Sequence, residues 1–509
     1  MPDSLSFQAI NTAIQNGSAA FRCRTRLYPV GDTTDKVFPP TYAGGVYAVE
    51  DRRVDGQVVR CVVLDSVQSQ ANRMEELLQD AFLPNWRELP ETEWPAPQQC
   101  ELPMVAVHIP NHGWITSLTA PHRIHDAILR DSEIAQGNNG GKVRFRDSTI
   151  GKEIVAARLY DASAFYRYCP TALLFGTWDS TAGEGLNSAK VPRAIVSEIV
   201  GVDAVAGVRT ASRIDPLGIE ATAATIYRRK VSPDCSYQDW AAKVRGVDGE
   251  EKLIGAKSED EIERTKQGLS KFGLRGRPSD INHGNIPPNL VRFDPQEVRD
   301  QNLDRLPDIL QNQPLRLNYK LESRDGRLNT DINVDRSQIR GNAVKPGGVT
   351  VAYALHTWVL SLNQLRRLRF PAKNGKTDEN DNGSNALRTV LAALGLYALS
   401  LQVEQGYWLR SRCELVPDKA SSLILEEVGT ANQFSVPSSI AARQILTEAL
   451  NEAKPYVEWE KNIIRLTPMS KLVQLVAASD RRRPDEDSDP PLPAEEPEDF
   501  ETPNAGDQD

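Results

Sequence analysis

The stretch Phe21-Arg22-Cys23-Arg24-Thr25-Arg26-Leu27 alternates between side chains suited to a protein interior and arginines. Period-two alternation is typical of a strand with one buried face, so we expect a strand over residues 21–28. Its other face then carries Arg22, Arg24 and Arg26 together. Because charged side chains usually stay exposed, these guanidinium groups form either a solvated surface or part of a binding site.

A helix is predicted over residues 66–83, where apolar side chains recur at helical spacing. Its first turns carry Gln68, Ser69, Asn72 and Arg73. Free backbone N–H groups and the positive end of the helix dipole favour anions at such a position. The helix start is therefore a candidate phosphate site, unless Arg73 simply pairs with Asp65 or Glu76.

Periodicity and turn residues predict further strands and helices along the chain. Strands are expected at 46–49 and 58–64, with Asp55-Gly56 as a hairpin turn, and at 104–109. Helices are expected at 121–131 and 151–166, a buried strand at 172–178 with a partner at 193–200, and a flexible loop or hairpin at 179–190. A helix at 385–402 and a strand at 406–415 come later. This order of elements predicts an α+β fold with a ferredoxin-like, or RNA-recognition-motif, core and large insertions.

Composition limits the classes of protein to which the chain can belong. It has 509 residues, 40% apolar and 25% charged, without a secretory leader or an uncharged apolar stretch long enough for a membrane span. Six scattered cysteines without a CxxC pair indicate reduced thiols. Of the net charge of -9, residues 481–509 contribute -8, and their proline-rich acidic composition predicts a disordered tail. We expect a cytoplasmic protein.

Catalytic motifs are weak. His122-Arg-Ile-His125-Asp126 resembles part of a metal-dependent HD phosphohydrolase site, but both histidines fall on one short predicted helix, and a metal site needs more converging ligands. The glycine-rich segment before Lys190 lacks the Gly-Lys-Ser/Thr of a phosphate-binding loop. We therefore expect a binding protein without metal or cofactor.

Basic and polar side chains recur at the ends of elements and in loops, where they suit contacts to nucleic-acid phosphates. The predicted RNA-binding residues, which could all line one groove, are Arg22, Arg24, Arg26, Gln68, Ser69, Asn72, Arg73, His122, Arg123, Lys190, Arg193, Arg209 and Arg213.

Longer runs of sequence resemble a known family. The runs are Arg26-Leu-Tyr-Pro-Val-Gly31, Phe38-Pro-Pro-Thr-Tyr42, Leu64-Asp-Ser-Val-Gln-Ser-Gln-Ala-Asn-Arg73, His122-Arg-Ile-His-Asp-Ala-Ile-Leu-Arg-Asp-Ser132, Cys169-Pro-Thr-Ala-Leu-Leu-Phe-Gly-Thr-Trp-Asp-Ser180, Pro192-Arg-Ala-Ile-Val-Ser-Glu-Ile-Val-Gly201 and Ser212-Arg-Ile-Asp-Pro-Leu-Gly218. They resemble the backbone subunit of CRISPR type I-G (formerly I-U) Cascade, a RAMP-superfamily protein, over about residues 20–230 and more weakly at 350–415.

The resemblance implies a hand-shaped protein with a palm, a finger insertion and a thumb. On this basis residues 1–231 form the palm core, 232–345 an inserted finger-like subdomain, 346–480 the part that completes the palm, and 481–509 the acidic tail. Our candidate thumb is the loop at 179–192, because a flexible hairpin after a sheet strand can reach a neighbour.

The resemblance also implies the partners. Copies of the subunit stack along the crRNA, grip its phosphates and present it for pairing with a target DNA strand. Other expected partners are the large subunit, the repeat-end-binding subunit and the helicase-nuclease, with no membrane. Backbone subunits of the related type III complexes cut RNA with a loop aspartate, and Asp32 and Asp35 lie in a comparable loop, where Asx turns are the alternative. RNA cleavage is thus the minor alternative.

Overall fold

The computed structural model describes residues 2–42, 46–88, 101–136, 141–179, 190–207, 209–219, 224–228, 240–245, 249–262, 264–265, 268–269, 286–291, 347–371, 381–418 and 423–480. The chain divides into two compact units. The first comprises Met1–Thr210 and Leu290–Val473, and the second comprises Ala211–Asn289 and Gln474–Asp509.

Four antiparallel strands form the centre of the main sheet in the first unit. Their spatial order is Ile424–Val428, Ala20–Pro29, Tyr353–Ser361 and Ile195–Val202. Numbered along the chain, this is the order fourth, first, third, second, with a helix after the first strand and another after the third. That arrangement is ferredoxin-like. The predicted α+β, RNA-recognition-motif-like fold is confirmed.

Six more strands extend this sheet to ten. They are Gln57–Asp65 and Val49–Val54 beyond Ile195–Val202, Gln433–Ser435 and Asp3–Ser4 beyond Ile424–Val428, and the hairpin Tyr407–Arg410 with Cys413–Pro417 beside the end of Ala20–Pro29. Asp55 and Gly56, both at positive φ, make the turn between Val49–Val54 and Gln57–Asp65. This predicted hairpin is confirmed.

Helices cover one face of the main sheet. Phe21, Cys23, Thr25 and Leu27 point toward them and are buried. The helices of this layer are Phe7–Gln15, Val67–Phe82, Leu362–Arg366, Asn382–Gln405 and Ser439–Ala453. Sequence periodicity correctly predicts Val67–Phe82, whose N-cap is Ser66.

The helix Asn382–Gln405 is long and apolar enough to cross a membrane by length and composition. In the fold, however, 83% of its most apolar window is buried. A Cβ on its Gly395 would lie 2.9 Å from Ile195 Cδ1, so the absence of a side chain lets the helix approach the sheet closely. It is therefore the central, buried helix of the layer that covers the main sheet.

A second sheet of five strands also belongs to the first unit. Its order is Gly141–Arg144, Ser132–Gln136, Ile464–Pro468, Val105–Ile109 and Gly113–Thr116. Short helices near it in sequence are Ala127–Arg130, Thr149–Ala156, Ser163–Tyr168 and Thr171–Phe175, with 3-10 turns at Trp86–Glu88, Arg123–His125 and Phe145–Asp147. Two-stranded ladders join Thr41–Tyr42 to Val46–Tyr47, Thr177–Trp178 to Lys190–Val191 and Val205–Ala206 to Val349–Thr350.

The second unit contains a three-stranded antiparallel sheet, Ala224–Arg228, Trp240–Arg245 and Glu251–Ile254. Ile226 and Ala242 are buried on it, and Tyr227, Ala241 and Ile262 form another small cluster. It also holds the 3-10 turn Glu259–Glu261 and the ladder of Arg264–Thr265 with Gly268–Leu269. The unit boundaries divide three further elements, which are the strands Arg209–Arg213 and Ile286–Val291 and the helix Ser470–Asp480.

Three sequence predictions around residues 121–178 are corrected. The predicted buried strand at 172–178 is wrong, because Thr171–Phe175 is a helix and only Thr177–Trp178 is a strand. A short apolar run cannot by itself distinguish a buried strand from a buried helix. The predicted helix at 121–131 is broken where Asp126 caps Ala127–Arg130, and the one at 151–166 is two helices, Thr149–Ala156 and Ser163–Tyr168.

A chain of buried polar groups runs under the helix layer. Ser197 Oγ donates to Gln70 Oε1 at 2.8 Å, and His356 Nε2 lies 2.9 Å from the same Ser197 Oγ. Since the serine hydrogen is used on Gln70, His356 Nε2 must be the donor to Ser197. His356 Nδ1 then accepts from the Tyr407 hydroxyl at 3.3 Å. The chain of bonds fixes one neutral tautomer of a fully buried imidazole.

This buried imidazole predicts a pH dependence of stability. Burial lowers the pKa of His356 to about 4, from an ordinary value of 6.5. Between these values the unfolded chain binds a proton that the folded chain does not, so the free energy of unfolding falls as the pH is lowered through this window. Urea unfolding of wild type and His356→Gln at pH 7, 6, 5 and 4.5 measures the effect. The slope of the free energy of unfolding against pH gives the number of protons taken up on unfolding, and in the variant this number should be smaller by about one. Equal slopes for wild type and variant would refute the assignment.

Candidate nucleic-acid interface

The three arginines of the strand Ala20–Pro29 lie on the face of the main sheet that the helices leave open. Arg22 pairs with Glu426 at 2.6 Å, and Arg26 lies 3.8 Å from Asp55. Arg24 is exposed and has no ion-pair partner among the residues that the structure describes. This placement follows from the alternation that buries Phe21, Cys23, Thr25 and Leu27 on the other face.

The helix start lies on the covered side of the same sheet. Gln70, in the first turns of Val67–Phe82, bonds Ser197, whose side chain is buried under the helices. The helix start and the three arginines therefore lie on opposite faces, and they do not line the single groove expected from the sequence. The physical reason is that helices cover only one face of a sheet of alternating strands.

The helix start is organised by a fully buried carboxylate, which we call the Asp65 hub. Ser69 Oγ donates to Asp65 Oδ1 at 2.8 Å and Arg73 Nε to Oδ2 at 2.9 Å. Arg410 Nη2 donates to Oδ1 at 3.1 Å from the turn end of the hairpin strand Tyr407–Arg410. The alternative pairing of Arg73 with Asp65 is thus present in the structure.

The Asp65 hub carries a net positive charge at a helix N-terminus. Two guanidinium groups, 30% and 26% exposed, share one carboxylate. Gln68 and Asn72 are exposed on the adjoining turns. The hub therefore fits an anion, for which backbone N–H groups and the helix dipole add attraction. The sequence does not indicate this role of Arg410, because 345 residues separate it from Asp65.

Arg123 does not lie at a surface. Its Nε and Nη2 each donate to Glu75 at 2.7 Å, and its Nη1 donates to the Gly176 carbonyl at 3.2 Å. The Arg123 side chain is 10% exposed and that of Glu75 is 1% exposed. Burial raises the pKa of Glu75 to about 7, against the opposing effect of the Arg123 charge. We therefore leave Arg123 out of the interface.

The hairpin stem formed by Thr177–Trp178 and Lys190–Val191 carries an aromatic ring and a cation side by side. Trp178 and Lys190 are directly opposite in the ladder, and Lys190 Nζ lies 5.7 Å from the Trp178 ring centroid. Trp178 is 57% exposed. The predicted RNA-binding residues include Lys190 but not Trp178. The position of a tryptophan directly before a Gly/Ser-rich loop is the sequence signal that could indicate Trp178.

Arg193 lies just beyond this stem. Its Nε donates to the Phe175 carbonyl at 3.2 Å. Burial, and then the neighbouring Arg123 charge, lowers the pKa of Arg193. A guanidinium whose charge is only partly compensated attracts an anion, so Arg193 adds to the positive character beside the stem.

Other predicted residues fall partly outside the description. The structure places the backbone of Arg209 and Arg213 in one strand, and their side chains lie outside the described residues. The same is true of residues 180–189 of the candidate thumb at 179–192, of which only the stem is described. His122 is exposed at the start of the 3-10 turn Arg123–His125.

The residues proposed for HD-type hydrolysis and for RNA cleavage make contacts within the protein. His125 is buried against Phe165, and burial lowers its pKa to about 4, while Asp126 caps the helix Ala127–Arg130. In the described part of the chain, no group of three or more His, Cys, Asp or Glu side chains is placed to hold a metal ion. Asp32 accepts from the backbone N–H of Thr33, and Asp35 accepts from the backbone N–H of Lys36.

The buried pair of Arg123 and Glu75 predicts a large effect on stability. Arg123→Ala leaves the Glu75 carboxylate buried without its partner, at a cost of about 3 to 5 kcal/mol in the free energy of unfolding. The double variant Arg123→Met with Glu75→Leu should lose less, because neither charge remains. Urea unfolding measures both, and Arg130→Ala, at a half-buried surface arginine, is the control. A loss below 1 kcal/mol for Arg123→Ala would contradict the structural role.

One segment of the chain is similar to a known protein family. Residues 21–206 match the family model described as CRISPR-associated protein GSU0053 (Cas_GSU0053). No curated protein matches the chain. The matched segment contains Asp65, the helix Val67–Phe82, the hairpin stem and the strand Ile195–Val202, whereas Arg410 of the hub lies outside it. The chain is therefore similar, over these residues, to a CRISPR-associated family, and this similarity indicates a CRISPR-associated function.

Proposed function

We propose that this protein is a guide-RNA-binding backbone subunit of a CRISPR type I effector complex, of the I-G type. The similarity over residues 21–206 supports the CRISPR association. The observation that carries the finer proposal is the exposed hairpin stem, where Trp178 and Lys190 lie side by side next to Arg193. An aromatic ring and cations at one place suit a base and the phosphates beside it.

In this proposal the contacts to RNA are made mainly to its backbone. The Asp65 hub offers a net positive charge at a helix N-terminus, and Lys190 and Arg193 offer two more charges. Phosphate contacts of this kind position a strand without reading its sequence. The sequence of the guide then remains available to pair with a target DNA strand, as in other RNA-guided complexes.

The remaining partners belong to the same proposal. Copies of this chain, the large subunit, the repeat-end-binding subunit and the helicase-nuclease would assemble with it on the crRNA in the cytoplasm. The protein would bind RNA and leave cleavage to other components. The alternatives are RNA cleavage through Asp32 or Asp35 and HD-type phosphohydrolysis through His122, His125 and Asp126.

Salt-dependent RNA binding tests the proposal. Labelled single-stranded RNA should bind the full chain with little sequence preference, and the affinity should fall linearly with salt on logarithmic axes because counterions are released. Anisotropy titrations at two or more salt concentrations measure this. Lys190→Ala should reduce the salt slope by about one, whereas Lys152→Ala, at an exposed lysine of the helix Thr149–Ala156, should leave it unchanged.

Trp178→Ala separates stacking from charge. It should weaken RNA binding by about 1 to 3 kcal/mol, the usual contribution of one stacked base, with an unchanged salt slope. Absence of RNA binding at low salt would refute the proposal. Metal-dependent hydrolysis of RNA or of a phosphomonoester, lost in Asp32→Ala or in His125→Ala, would favour the corresponding alternative.

The acidic tail yields a separate prediction. Its charge of -8 over residues 481–509 would repel phosphates if it were held near them. Deletion of residues 484–509 should therefore leave RNA affinity unchanged in the same titrations. A marked gain in affinity would show instead that the tail masks the basic surface.

A further inference from the structure

Aromatic side chains collect at one end of the open face of the main sheet, apart from the Asp65 hub. Tyr28 lies on the same face as Arg24 and Arg26 and pairs across the ladder with Val416. Trp408 pairs with Glu414, which is two residues from Val416 and thus on the same face. The other face of this hairpin, with Tyr407 and Leu415, is in the core.

Three aromatic residues, Tyr28, Tyr353 and Trp408, therefore share the open face with Arg24 and Arg26. We call these five residues the aromatic strip. Trp408 is 63% exposed and the adjoining Val416 is 45% exposed. Exposed apolar surface of this kind marks an interaction site more often than scattered single residues do.

The charges on the aromatic strip favour an anionic partner. The Arg26 guanidinium lies 4.5 Å from the Tyr353 ring centroid, and its ion pair with Asp55 is long, at 3.8 Å, and exposed. Such a pair contributes little, so Arg26 remains available to a ligand. Arg24, one pleat away, has no ion-pair partner in the described part of the chain.

The arginines and the aromatic rings of the aromatic strip lie toward opposite ends of it. Arg24, Arg26 and Tyr28 follow one another on one face, about 14 Å from first to last at the rise of an antiparallel strand. Trp408 extends the aromatic end beyond Tyr28 through the added hairpin. The negative charge of Glu414 lies at this aromatic end, away from Arg24.

We propose that the aromatic strip is a second nucleic-acid site, which binds a single strand by stacking a base on Trp408 and pairing its phosphates with Arg24 and Arg26. Tyr353 is half-buried against a hydrophobic cluster and holds Arg26 beside its ring. Stacking on exposed aromatic side chains beside arginines is how proteins hold single strands without reading sequence. The site lies on the face of the sheet opposite the Asp65 hub. One chain then has two separate surfaces for single strands.

Short oligonucleotides test this site. Fluorescein-labelled eight-residue oligothymidine and oligouridine are titrated with the full chain after nucleic acid has been removed at high salt. Trp408→Ala should weaken binding about tenfold, Trp408→Phe should change it less than threefold, and Arg24→Ala should lower the salt slope by about one. Ile440→Ala, at another strongly exposed apolar residue, is the matched control and should bind like wild type.

Photocrosslinking locates the contact independently of any folding defect. Oligomers carrying 4-thiothymidine or 4-thiouridine should crosslink to peptides that contain Trp408, Tyr353 or Tyr28. The tighter of the two oligomers identifies the strand as DNA or RNA. Crosslinks confined to other peptides, together with unchanged affinity in Trp408→Ala and Arg24→Ala, would overturn the proposal. If those variants bind normally while Lys190→Ala does not, the aromatic strip is wrong and the proposed function stands.

Discussion

The buried carboxylate of Asp65 connects parts of the described chain that are far apart in sequence. It accepts from Ser69, Gln70 and Arg73 of one helix and from Arg410 of a hairpin that is distant in sequence. Gln70 in turn accepts from Ser197, which is hydrogen-bonded to His356. Ser197 and His356 lie on two central strands of the main sheet. A buried carboxylate is tolerated only when it is paired and hydrogen-bonded, so removal of any partner leaves a costly charge.

This dependence explains why the surface at the helix start is rigid and positive at once. The core sets the orientation of Asp65, and Asp65 sets the orientation of Arg73 and Arg410. Because two cations share one anion, the excess charge faces solvent in a fixed place. Preorganised charge of this kind binds a phosphate with little further loss of side-chain freedom.

The sequence predicts the elements with strong periodicity and fails where spatial neighbours decide. Ala20–Pro29, Val67–Phe82 and the turn at Asp55 and Gly56 follow from local pattern, and so does the α+β class. The sequence pattern at 172–178 does not distinguish a strand from a helix, because a short apolar run has no visible period. The burial of Arg123 against Glu75 cannot be seen from the sequence either, because 48 residues separate the two. The contribution of Arg410 to the hub and of Trp408 to the open face depends on how the hairpin Tyr407–Pro417 docks, which no local pattern contains.

The position of the strand Tyr353–Ser361 has a consequence for how the protein is made. It lies between Ala20–Pro29 and Ile195–Val202. These two strands of the segment similar to the CRISPR-associated family are therefore joined through it only after a strand some 150 residues later has been made. Contacts this distant in sequence slow folding, because the entropy of a long loop must be lost first. Until the strand Tyr353–Ser361 has been synthesised, the first two hundred residues therefore expose unpaired strand edges. The chain is most prone to aggregate during this interval.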